Sequence, residues 1–350
     1  MGPSFSNKTA LVVGGAGFVG SNLVQALLEQ DAKQVFVVDN LLSSEISNVP
    51  KDPRVIFVHG SIADQRILDR LPEDIEFVWH LACYHGNQSS IADPIADHDN
   101  NTLTSLMLFE HISKWKNVQK VVYAAAGCAV AEKTATSPAA TPEDAPVSLF
   151  HDSPYSISKL VGEMYGNYYF QKSALPFVRA RFQNVYGPRE ILGAGSWRGT
   201  PATVWRNVTP TFIWKALHGE GLQLDNEGKG SRDFIFVQDI VRGLIACALK
   251  GVPGQAYNLA SGTETSILEL ATTIVSIIGS SSKIELRPKR AWDNSIRRFG
   301  ATEKSESLLD FRTETTLRKG LEITISWTEA NKELISSSMR RHDSFISMNT

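Results

Sequence analysis

The stretch VVGGAGFVGSNL, residues 12–23, decides the fold predicted for this chain. Its glycines Gly14, Gly17 and Gly20 lie between a run of apolar residues and a pattern typical of a helix. Glycines there allow a tight turn and let the backbone approach a pyrophosphate, which binds at the positive end of the helix dipole. The stretch therefore predicts a strand, a turn and a helix that bind a dinucleotide.

Short runs rich in β-branched residues recur along the first part of the chain and alternate with helical patterns. These runs are TALVV (9–13), QVFVVD (34–39), RVIFVHG (54–60), FVWHLA (77–82) and KVVYAAA (120–126). Strands separated by helices are typical of a parallel sheet with both faces covered. We therefore predict an α/β fold: a Rossmann-type doubly wound parallel sheet with a smaller C-terminal α/β lobe.

The pattern changes after residue 180, where longer loops rich in Gly, Pro, Trp and Arg replace the regular alternation. We expect residues 1–180 to form the dinucleotide-binding domain. Residues 181–335 are expected to form mainly the substrate lobe, with some segments returning to the first domain. Residues 336–350 are polar enough to predict a frayed tail.

Composition limits the classes of partner. The formal net charge of −2 gives no electrostatic footprint for nucleic acid or an anionic membrane surface, so a small molecule is the expected partner. No run approaches 18 apolar residues, so we expect no membrane span. The 3 cysteines lie far apart and are odd in number, which favours free thiols in a reducing compartment and predicts a cytoplasmic protein.

Asp39 favours NAD over NADP as the dinucleotide. It closes the second predicted strand, 19 residues after Gly20. An acidic side chain there can accept hydrogen bonds from both ribose hydroxyls and would repel a 2′-phosphate. The alternative is a glycine-rich turn beside an exposed aspartate that binds nothing.

The stretch SPYSISKLVGEMYG, residues 153–166, predicts a helix that carries a reactive phenol. Asp152 or Ser153 can cap it, Pro154 suits the first helical position, and Tyr155 and Lys159 then lie one turn apart on one face. Poising a tyrosine near neutral pH needs a pKa shift of about 3 units, or roughly 4 kcal/mol in favour of the phenolate. Lys159 and an oxidised nicotinamide ring could supply it; the alternative is two ordinary residues on a solvated face.

Together these motifs resemble the extended short-chain dehydrogenases/reductases, specifically the NAD-dependent nucleotide-sugar epimerases and dehydratases. The resemblance covers nearly the whole chain and includes GGAGFVGSN, VVDNLLSS, VWHLAC, DPIADHDNN, SPYSISKLVGE, RFQNVYGPR, SRDFIFVQDIVRG and RPKRAWD. It implies a Rossmann domain that holds NAD and a C-terminal lobe that grips a sugar nucleotide. In this family the tyrosine takes a sugar hydroxyl proton while hydride passes to NAD.

The resemblance also implies roles for individual residues. Those implied to bind the cofactor are Gly14, Gly17, Phe18, Val19, Asp39, Asn40, Ser61, Ile62, Leu81, Ala82, Asn101, Tyr155, Lys159 and Phe182. Those implied to bind the substrate are His85, Asn87, Ala126, Asn184, Asn207, Val208, Arg232, Arg290 and Asp293. Arg232 and Arg290 would clamp the diphosphate, for which a guanidinium fork is well shaped. Arg297 and Arg298 are expected to be solvated surface side chains.

The clearest departure from the family is Ala126, where relatives usually carry a Ser or Thr that hydrogen-bonds the reacting hydroxyl. Such a donor typically contributes about 10²- to 10⁴-fold in rate when it joins the proton transfer. Cys128, Thr134 and His85 are the candidate substitutes for this proton relay. A structural or solvent-facing role is the alternative for His85.

A second unusual stretch is LGAGSWRGTPATVWRN, residues 192–207. Its Trp197, Arg198, Trp205 and Arg206 could shape the recognition of an acidic sugar or of the base, or could pack a loop.

Two reactions remain within the family, and the sequence favours one of them. Its 4,6-dehydratases carry an Asp-Glu pair where this chain has Gly127 and Cys128, so we predict an NAD-dependent epimerase acting at C4 of a UDP-sugar, with dehydration as the alternative. An alternative of another class is a weakened NAD- and sugar-nucleotide-binding protein, because of Ala126. Relatives often dimerise through two helices, and TLTSLMLFEHIS (102–113) and YSISKLVGEMYGNYY (155–169) are apolar enough to predict a homodimer.

Overall fold

A computed structural model describes residues 5–127, 139–289 and 297–347 of the chain. The strands are β1 Thr9–Val13, β2 Gln34–Asp39, β3 Val55–His59, β4 Phe77–His80, β5 Lys120–Ala126, β6 Phe177–Phe182, β7 Asn184–Tyr186, β8 Leu222–Leu224, β9 Ser231–Phe236, β10 Ala256–Leu259, β11 Glu264–Ser266, β12 Ile284–Leu286 and β13 Arg297–Arg298. The helices are Phe18–Glu29, Gln65–Leu68, Asn87–Ala92, Pro94–Asp97, Thr104–Ile112, Pro154–Ser173, Val208–Leu217, Val237–Lys250, Ile267–Ile278, Glu303–Leu309, Leu317–Ala330, Lys332–Arg340 and Asp343–Ser347, with a π-helical turn at His98–Leu103 and 3₁₀ turns at Ile46–Asn48, Pro201–Thr203 and Asp225–Gly228.

The central sheet has seven parallel strands in the order β10-β6-β5-β4-β1-β2-β3. Apart from the partly exposed edge strand β3, its strands are mostly buried, as expected of a parallel sheet with both faces covered. Helices Phe18–Glu29 and Val237–Lys250 contribute to the apolar core on one face. Helices Thr104–Ile112 and Pro154–Ser173 contribute to the core on the other. This arrangement confirms the predicted Rossmann-type doubly wound fold.

A smaller sheet lies beyond this core and holds the remaining parts of the site. Strand β9 pairs with β7, β11 and β13, and β8 pairs separately with β12. Helices Val208–Leu217 and Ile267–Ile278 pack on these strands through a third apolar core, which includes Phe212, Phe234 and Leu270. Because β7 follows β6 after a single residue, the second lobe begins at the carboxyl edge of the central sheet.

Residues 336–347 are not frayed, although a frayed tail was predicted for residues 336–350. Helices Lys332–Arg340 and Asp343–Ser347 dock on the second lobe, and the last described residue is 347. His342 is buried, its Nε2 atom lies 2.9 Å from the carbonyl oxygen of Gly193, and Phe345 stacks on Trp197 with ring centroids 5.1 Å apart. The sequence did not predict this packing, because few apolar side chains in the segment take part in it.

No helix among residues 5–127, 139–289 and 297–347 is long and apolar enough to cross a membrane.

Candidate active site

The glycine turn between β1 and the first helix has no room for a side chain at Gly14 or Gly20. Gly14 has a φ of +84°, and a Cβ built on it would lie 2.5 Å from the backbone nitrogen of Ala82. A Cβ on Gly20 would collide with the carbonyl oxygen of Gly14. Gly17 caps the helix Phe18–Glu29 without a side-chain hydrogen bond. Gly14, Gly17 and Gly20 all line a cavity at the carboxyl edge of the sheet. The turn thus offers backbone groups at a helix N-terminus, which suits a pyrophosphate.

Most of the residues predicted for the site converge on this one cavity. It runs from the glycine turn to the helix that carries Tyr155 and on into the second lobe. The predicted residues that line it are Gly14, Gly17, Phe18, Val19, Asp39, Asn40, Ser61, Ile62, Leu81, Ala82, His85, Ala126, Tyr155, Lys159, Phe182, Asn184, Asn207 and Val208. Their individual roles remain predictions.

Asp39 is buried at the end of β2 and organises the loop that follows. One carboxylate oxygen accepts a hydrogen bond from the Ala16 backbone nitrogen at 3.0 Å. The other accepts from the Leu41 nitrogen at 2.9 Å and from the Ser44 hydroxyl at 2.8 Å. Burial raises the pKa of Asp39, and the hydrogen bond from Ser44 is the largest opposing effect. The carboxylate is therefore fixed against the glycine turn, where it also faces the cavity.

The Tyr155 helix begins as the sequence predicts, with Ser153 rather than Asp152 as the cap. The Ser153 hydroxyl accepts a hydrogen bond from the Ser156 nitrogen at 3.4 Å, and Pro154 occupies the first turn. Lys159 is buried one turn later and donates through Nζ to the carbonyl oxygen of Ala124 at 2.9 Å. Its Nζ lies 6.0 Å from the centroid of the Tyr155 ring. The pair thus faces the cavity, and the alternative of a solvated face does not hold.

Burial raises the pKa of Tyr155 well above its usual value near 10, and the charge of the neighbouring Cys83 is the next cause. Burial also lowers the pKa of Lys159. Both shifts favour neutral forms, so the chain alone holds a phenol rather than a phenolate. A further positive charge in the cavity is needed to release the phenolic proton.

His85 lies directly beside Tyr155. The two rings meet edge to face, with centroids 6.0 Å apart and an interplanar angle of 68°. The His85 Nδ1 atom is buried without a hydrogen-bond partner among the described residues. Burial, followed by the charges of Arg206, Arg198 and Lys159, lowers the pKa of His85 to about 3. Burial therefore favours a neutral imidazole, and the side chain is partly exposed in the cavity wall.

Two other side chains at the cavity, those of Cys83 and Glu190, were not predicted as site residues. A third, Arg206, was expected either to shape ligand recognition or to pack a loop. Cys83 follows the end of β4 by three positions and lies against Tyr155. Glu190 and Arg206 come from loops of the second lobe and also line the cavity. The one sequence signal for Cys83 was its place after a parallel strand, where functional side chains collect. Glu190 had no comparable signal.

Glu190 and Arg206 are both ionisable groups in a dry environment. Arg206 donates to the carbonyl oxygens of Ser43 at 2.8 Å and Ala194 at 2.6 Å. Burial, followed by the charge of Arg198, lowers its pKa to about 9. Glu190 accepts a hydrogen bond from Asn207, and burial raises the pKa of Glu190 to about 7.

Some predicted site residues lie elsewhere. Asn87 accepts a hydrogen bond from the Ser153 hydroxyl at 3.1 Å and does not line the cavity. Asn101 lies behind the site, where its amide oxygen accepts from the Tyr84 nitrogen at 2.7 Å. Arg232 lies on β9 and is not part of the cavity wall. Cys128, Thr134, Arg290 and Asp293 lie outside the described residues.

Arg298 corrects the expectation of a surface side chain. It lines the cavity and forms an ion pair with Asp152 at 3.1 Å. Arg297, one residue earlier, does lie at the surface and pairs with Glu264.

The sequence matches the model of the NAD dependent epimerase/dehydratase family over residues 10–260. The chain belongs to this family. Among solved structures, the enzyme WbmF of Bordetella bronchiseptica in complex with NAD⁺ and UDP is 56% identical, with a TM-score of 0.89 and coverage of 97% of this chain and 98% of that one. The UDP-glucose 4-epimerase of Mycolicibacterium smegmatis is 31% identical over 321 residues, which are 91% of this chain and 97% of that protein. The dTDP-glucose 4,6-dehydratase DesIV of Streptomyces venezuelae is 25% identical, with a TM-score of 0.84 and coverage of 94% and 99%.

Membership of the NAD dependent epimerase/dehydratase family confirms the resemblance seen in the motifs and NAD as the cofactor. The local geometry fits this cofactor. The turn is packed too tightly for a Cβ at Gly14 or Gly20, and it borders the cavity at the start of the helix Phe18–Glu29, where a pyrophosphate would bind. Family membership also makes the protein an NAD-dependent enzyme of nucleotide-sugar chemistry, although epimerases and dehydratases both occur among its relatives.

Proposed function

We propose that the protein is an epimerase that inverts C4 of a UDP-sugar through a transient ketone, with Tyr155 as the acid and base. The observation that carries this proposal is the cavity itself, in which Tyr155, Lys159 and the glycine turn meet. The names of two relatives support the choice of substrate, since one was solved with UDP and another is a UDP-glucose 4-epimerase.

The proposed reaction moves one proton and one hydride out and back. When bound, NAD supplies the acceptor for the hydride from C4 and later returns it. Tyr155 takes the hydroxyl proton as the C4–H bond breaks, which leaves a ketone. The sugar then presents its other face, and Tyr155 gives the proton back to the new hydroxyl. Lys159, 6.0 Å from the Tyr155 ring, favours the phenolate during the oxidised stage.

The proton relay lacks the usual hydroxyl, because Ala126 ends β5 at the cavity wall. We propose that His85 replaces it. Its neutral ring lies against Tyr155 and can accept a proton at one nitrogen while it donates from the other. Cys83 is the second described side chain beside Tyr155 that can take part.

Dehydration has less support from the geometry. The dehydratases resembled by this chain need an acidic pair at the positions of Gly127 and Cys128, and Gly127 lies in the described part of the chain. A Cβ on Gly127 would lie 2.9 Å from the carbonyl oxygen of Phe182 and would collide with the Gln183 side chain. The wall there is closed to an acidic side chain.

A homodimer is also part of the proposal. The helix Pro154–Ser173 exposes Ile157, Met164 and Tyr168, which are 49%, 54% and 50% exposed and follow each other at helical spacing. Apolar side chains in such a row suit a helical subunit interface. Light scattering of the purified protein tests this, since the mass of a single chain at micromolar concentration would refute it.

The experiment that tests the proposed reaction is a product screen by NMR. Purified enzyme is incubated with UDP-glucose, UDP-N-acetylglucosamine and UDP-glucuronate, and with the corresponding GDP- and dTDP-sugars. An epimerase yields the C4 epimer, whereas a dehydratase yields a 4-keto-6-deoxy sugar. If no sugar nucleotide is turned over although UDP binds, the protein is a binding protein and the proposal is wrong.

A further inference from the structure

The loop that follows strand β2, residues 40–45 (the β2 loop), forms part of the cavity wall. Its residues that line the cavity are Asn40, Leu42, Ser43 and Ser44. Leu41 has a φ of +58°, which is uncommon for a residue other than glycine. A segment with this backbone conformation keeps its shape only where the surrounding structure holds it. The contacts around the β2 loop therefore decide how firmly this part of the wall is held.

The β2 loop is fastened by segments that lie far away along the chain. The Leu42 carbonyl oxygen accepts a hydrogen bond from the Ser196 nitrogen at 3.0 Å. The Ser43 carbonyl oxygen accepts one from Arg206 at 2.8 Å. A Cβ built on Gly195 would collide with the Leu42 carbonyl oxygen, so the two backbones are in direct contact. The second lobe thus holds the β2 loop through its backbone.

Glu45 connects the β2 loop to the C-terminal helices. Its Oε1 atom accepts a hydrogen bond from the Gly195 nitrogen at 3.1 Å. The same atom accepts from the Ser338 hydroxyl at 3.4 Å, and the carboxylate forms an ion pair with Arg341. The Glu45 side chain is only 13% exposed. This one carboxylate therefore joins the β2 loop, the turn at Gly195 and the C-terminal segment.

The turn that contains Gly193 and Gly195 packs on both the β2 loop and the C-terminal helices. Gly193 has a φ of +70°, and a Cβ built on it would lie 2.8 Å from the Cα atom of Met339. Its carbonyl oxygen lies 2.9 Å from Nε2 of His342. Gly195 contacts the β2 loop in turn. The C-terminal segment therefore supports the β2 loop through this turn as well as through Glu45.

These contacts lead to Asp39, the residue predicted to bind a ribose of NAD. Ser44 precedes Glu45 in the chain, and its hydroxyl donates to the Asp39 carboxylate at 2.8 Å. The Leu41 nitrogen donates to the same oxygen at 2.9 Å. A change in the position of Glu45 would thus be passed to the groups that hold Asp39. Glu45 itself is not part of the cavity wall.

We propose that Glu45 and the C-terminal helices position the β2 loop against bound NAD and thereby slow the release of the cofactor. Glu45 is a positioning residue, because it acts through the loop. This inference goes beyond the proposed epimerisation, since it concerns how the cofactor is held and not which sugar is converted. The proposed reaction needs such retention, because the hydride must return to the sugar before the cofactor leaves.

The test measures how fast NADH leaves the enzyme. NADH-loaded protein is mixed with excess NAD⁺, and the change in NADH fluorescence is followed. Each rate is measured at a temperature at which circular dichroism shows the variant to be folded. Under this condition the rate reports how the cofactor is held, and a merely structural role for Glu45 would leave it unchanged.

Glu45→Ala should release NADH about tenfold faster than the wild type, because it removes a charged acceptor shared by three donors, those of Gly195, Ser338 and Arg341. Arg341→Met should release NADH about threefold faster, because it removes only the partly exposed ion pair.

Glu322→Ala is the matched control. It removes the same charge from the helix Leu317–Ala330, where Glu322 is 40% exposed and pairs with Lys319, and it should release NADH at the wild-type rate. Release by Glu45→Ala no faster than by Glu322→Ala would overturn the inference, whether both rates are unchanged or both are raised. If Glu45→Ala does not fold, the same comparison is made with Arg341→Met, since the Arg341 side chain is 49% exposed.

Discussion

The rings of His85 and Tyr155 meet edge to face, with 6.0 Å between their centroids. This contact places a neutral imidazole beside the phenol, in a cavity that Ala126 also lines and to which it brings no hydroxyl. It provides a route for the proposed proton relay through His85. That route can be tested by restoring a hydroxyl group at position 126.

If His85 passes the proton, a serine at position 126 should be able to replace it. His85→Asn should lower turnover by about 10²-fold, because the side chain that passes the proton is lost while its size is roughly kept. Adding Ala126→Ser to that variant should restore much of the rate, whereas Ala126→Ser alone should be neutral or harmful. Steady-state rates are measured together with NAD content. Full activity of His85→Asn would move the role to Cys83 or to Cys128 and Thr134.

Tyr155→Phe should abolish turnover and leave the bound cofactor in place. The change removes the ionisable oxygen and little volume, so folding and NAD binding should be almost unaffected. The measurement is product formation, paired with the dinucleotide released on denaturation. A remaining rate above about a tenth of wild type would show that another group is the principal base.

Gly14→Ala should abolish NAD binding. The new Cβ would lie 2.5 Å from the Ala82 nitrogen, and the φ of +84° is unfavourable for alanine. Gly279→Ala is a suitable control, because Gly279 has a φ of +67° but no atom within 4 Å of the added Cβ. It should cost about 1 kcal/mol of stability and no NAD. Retention of NAD by Gly14→Ala would remove the basis for placing the pyrophosphate at this turn.

Glu190→Gln should stabilise the protein at pH 8 but hardly at pH 4.5. Burial raises the pKa of Glu190 from 4.5 to about 7, so the folded protein holds this proton after the unfolded chain has lost it. The stability that this group contributes is therefore complete below pH 4.5 and is lost as the pH rises through 7. Glutamine mimics the protonated carboxyl, and the gain at pH 8 should approach roughly 3 kcal/mol. Denaturant unfolding measures the difference, and a gain that does not depend on pH would contradict the assignment.

The sequence predicts correctly those structural features that depend only on residues close together along the chain. Strand β1 and the cap at Ser153 follow from neighbouring residues, and both occur where the sequence places them. The approach of Lys159 to Tyr155 likewise follows from their spacing on one helix.

Features that need distant segments to meet were missed. Glu190 reaches the cavity only because the second lobe packs against the carboxyl edge of the sheet, and for Arg206 the sequence left ligand recognition and loop packing open. The C-terminal helices were predicted as a frayed tail, since nothing near His342 in the sequence indicates that Gly193 accepts its hydrogen bond. Arg298 was assigned to the surface because its partner Asp152 lies far away along the chain.

The most direct test of the proposed reaction follows a deuterium atom through turnover. The UDP-sugar that the enzyme converts is prepared with deuterium at C4, and the product is examined by NMR in ordinary water. We expect inversion at C4 with the deuterium retained, because the same hydride leaves that carbon and returns to it within one active site. Loss of the deuterium to solvent, retention of configuration at C4, or no conversion of any UDP-sugar would contradict the account.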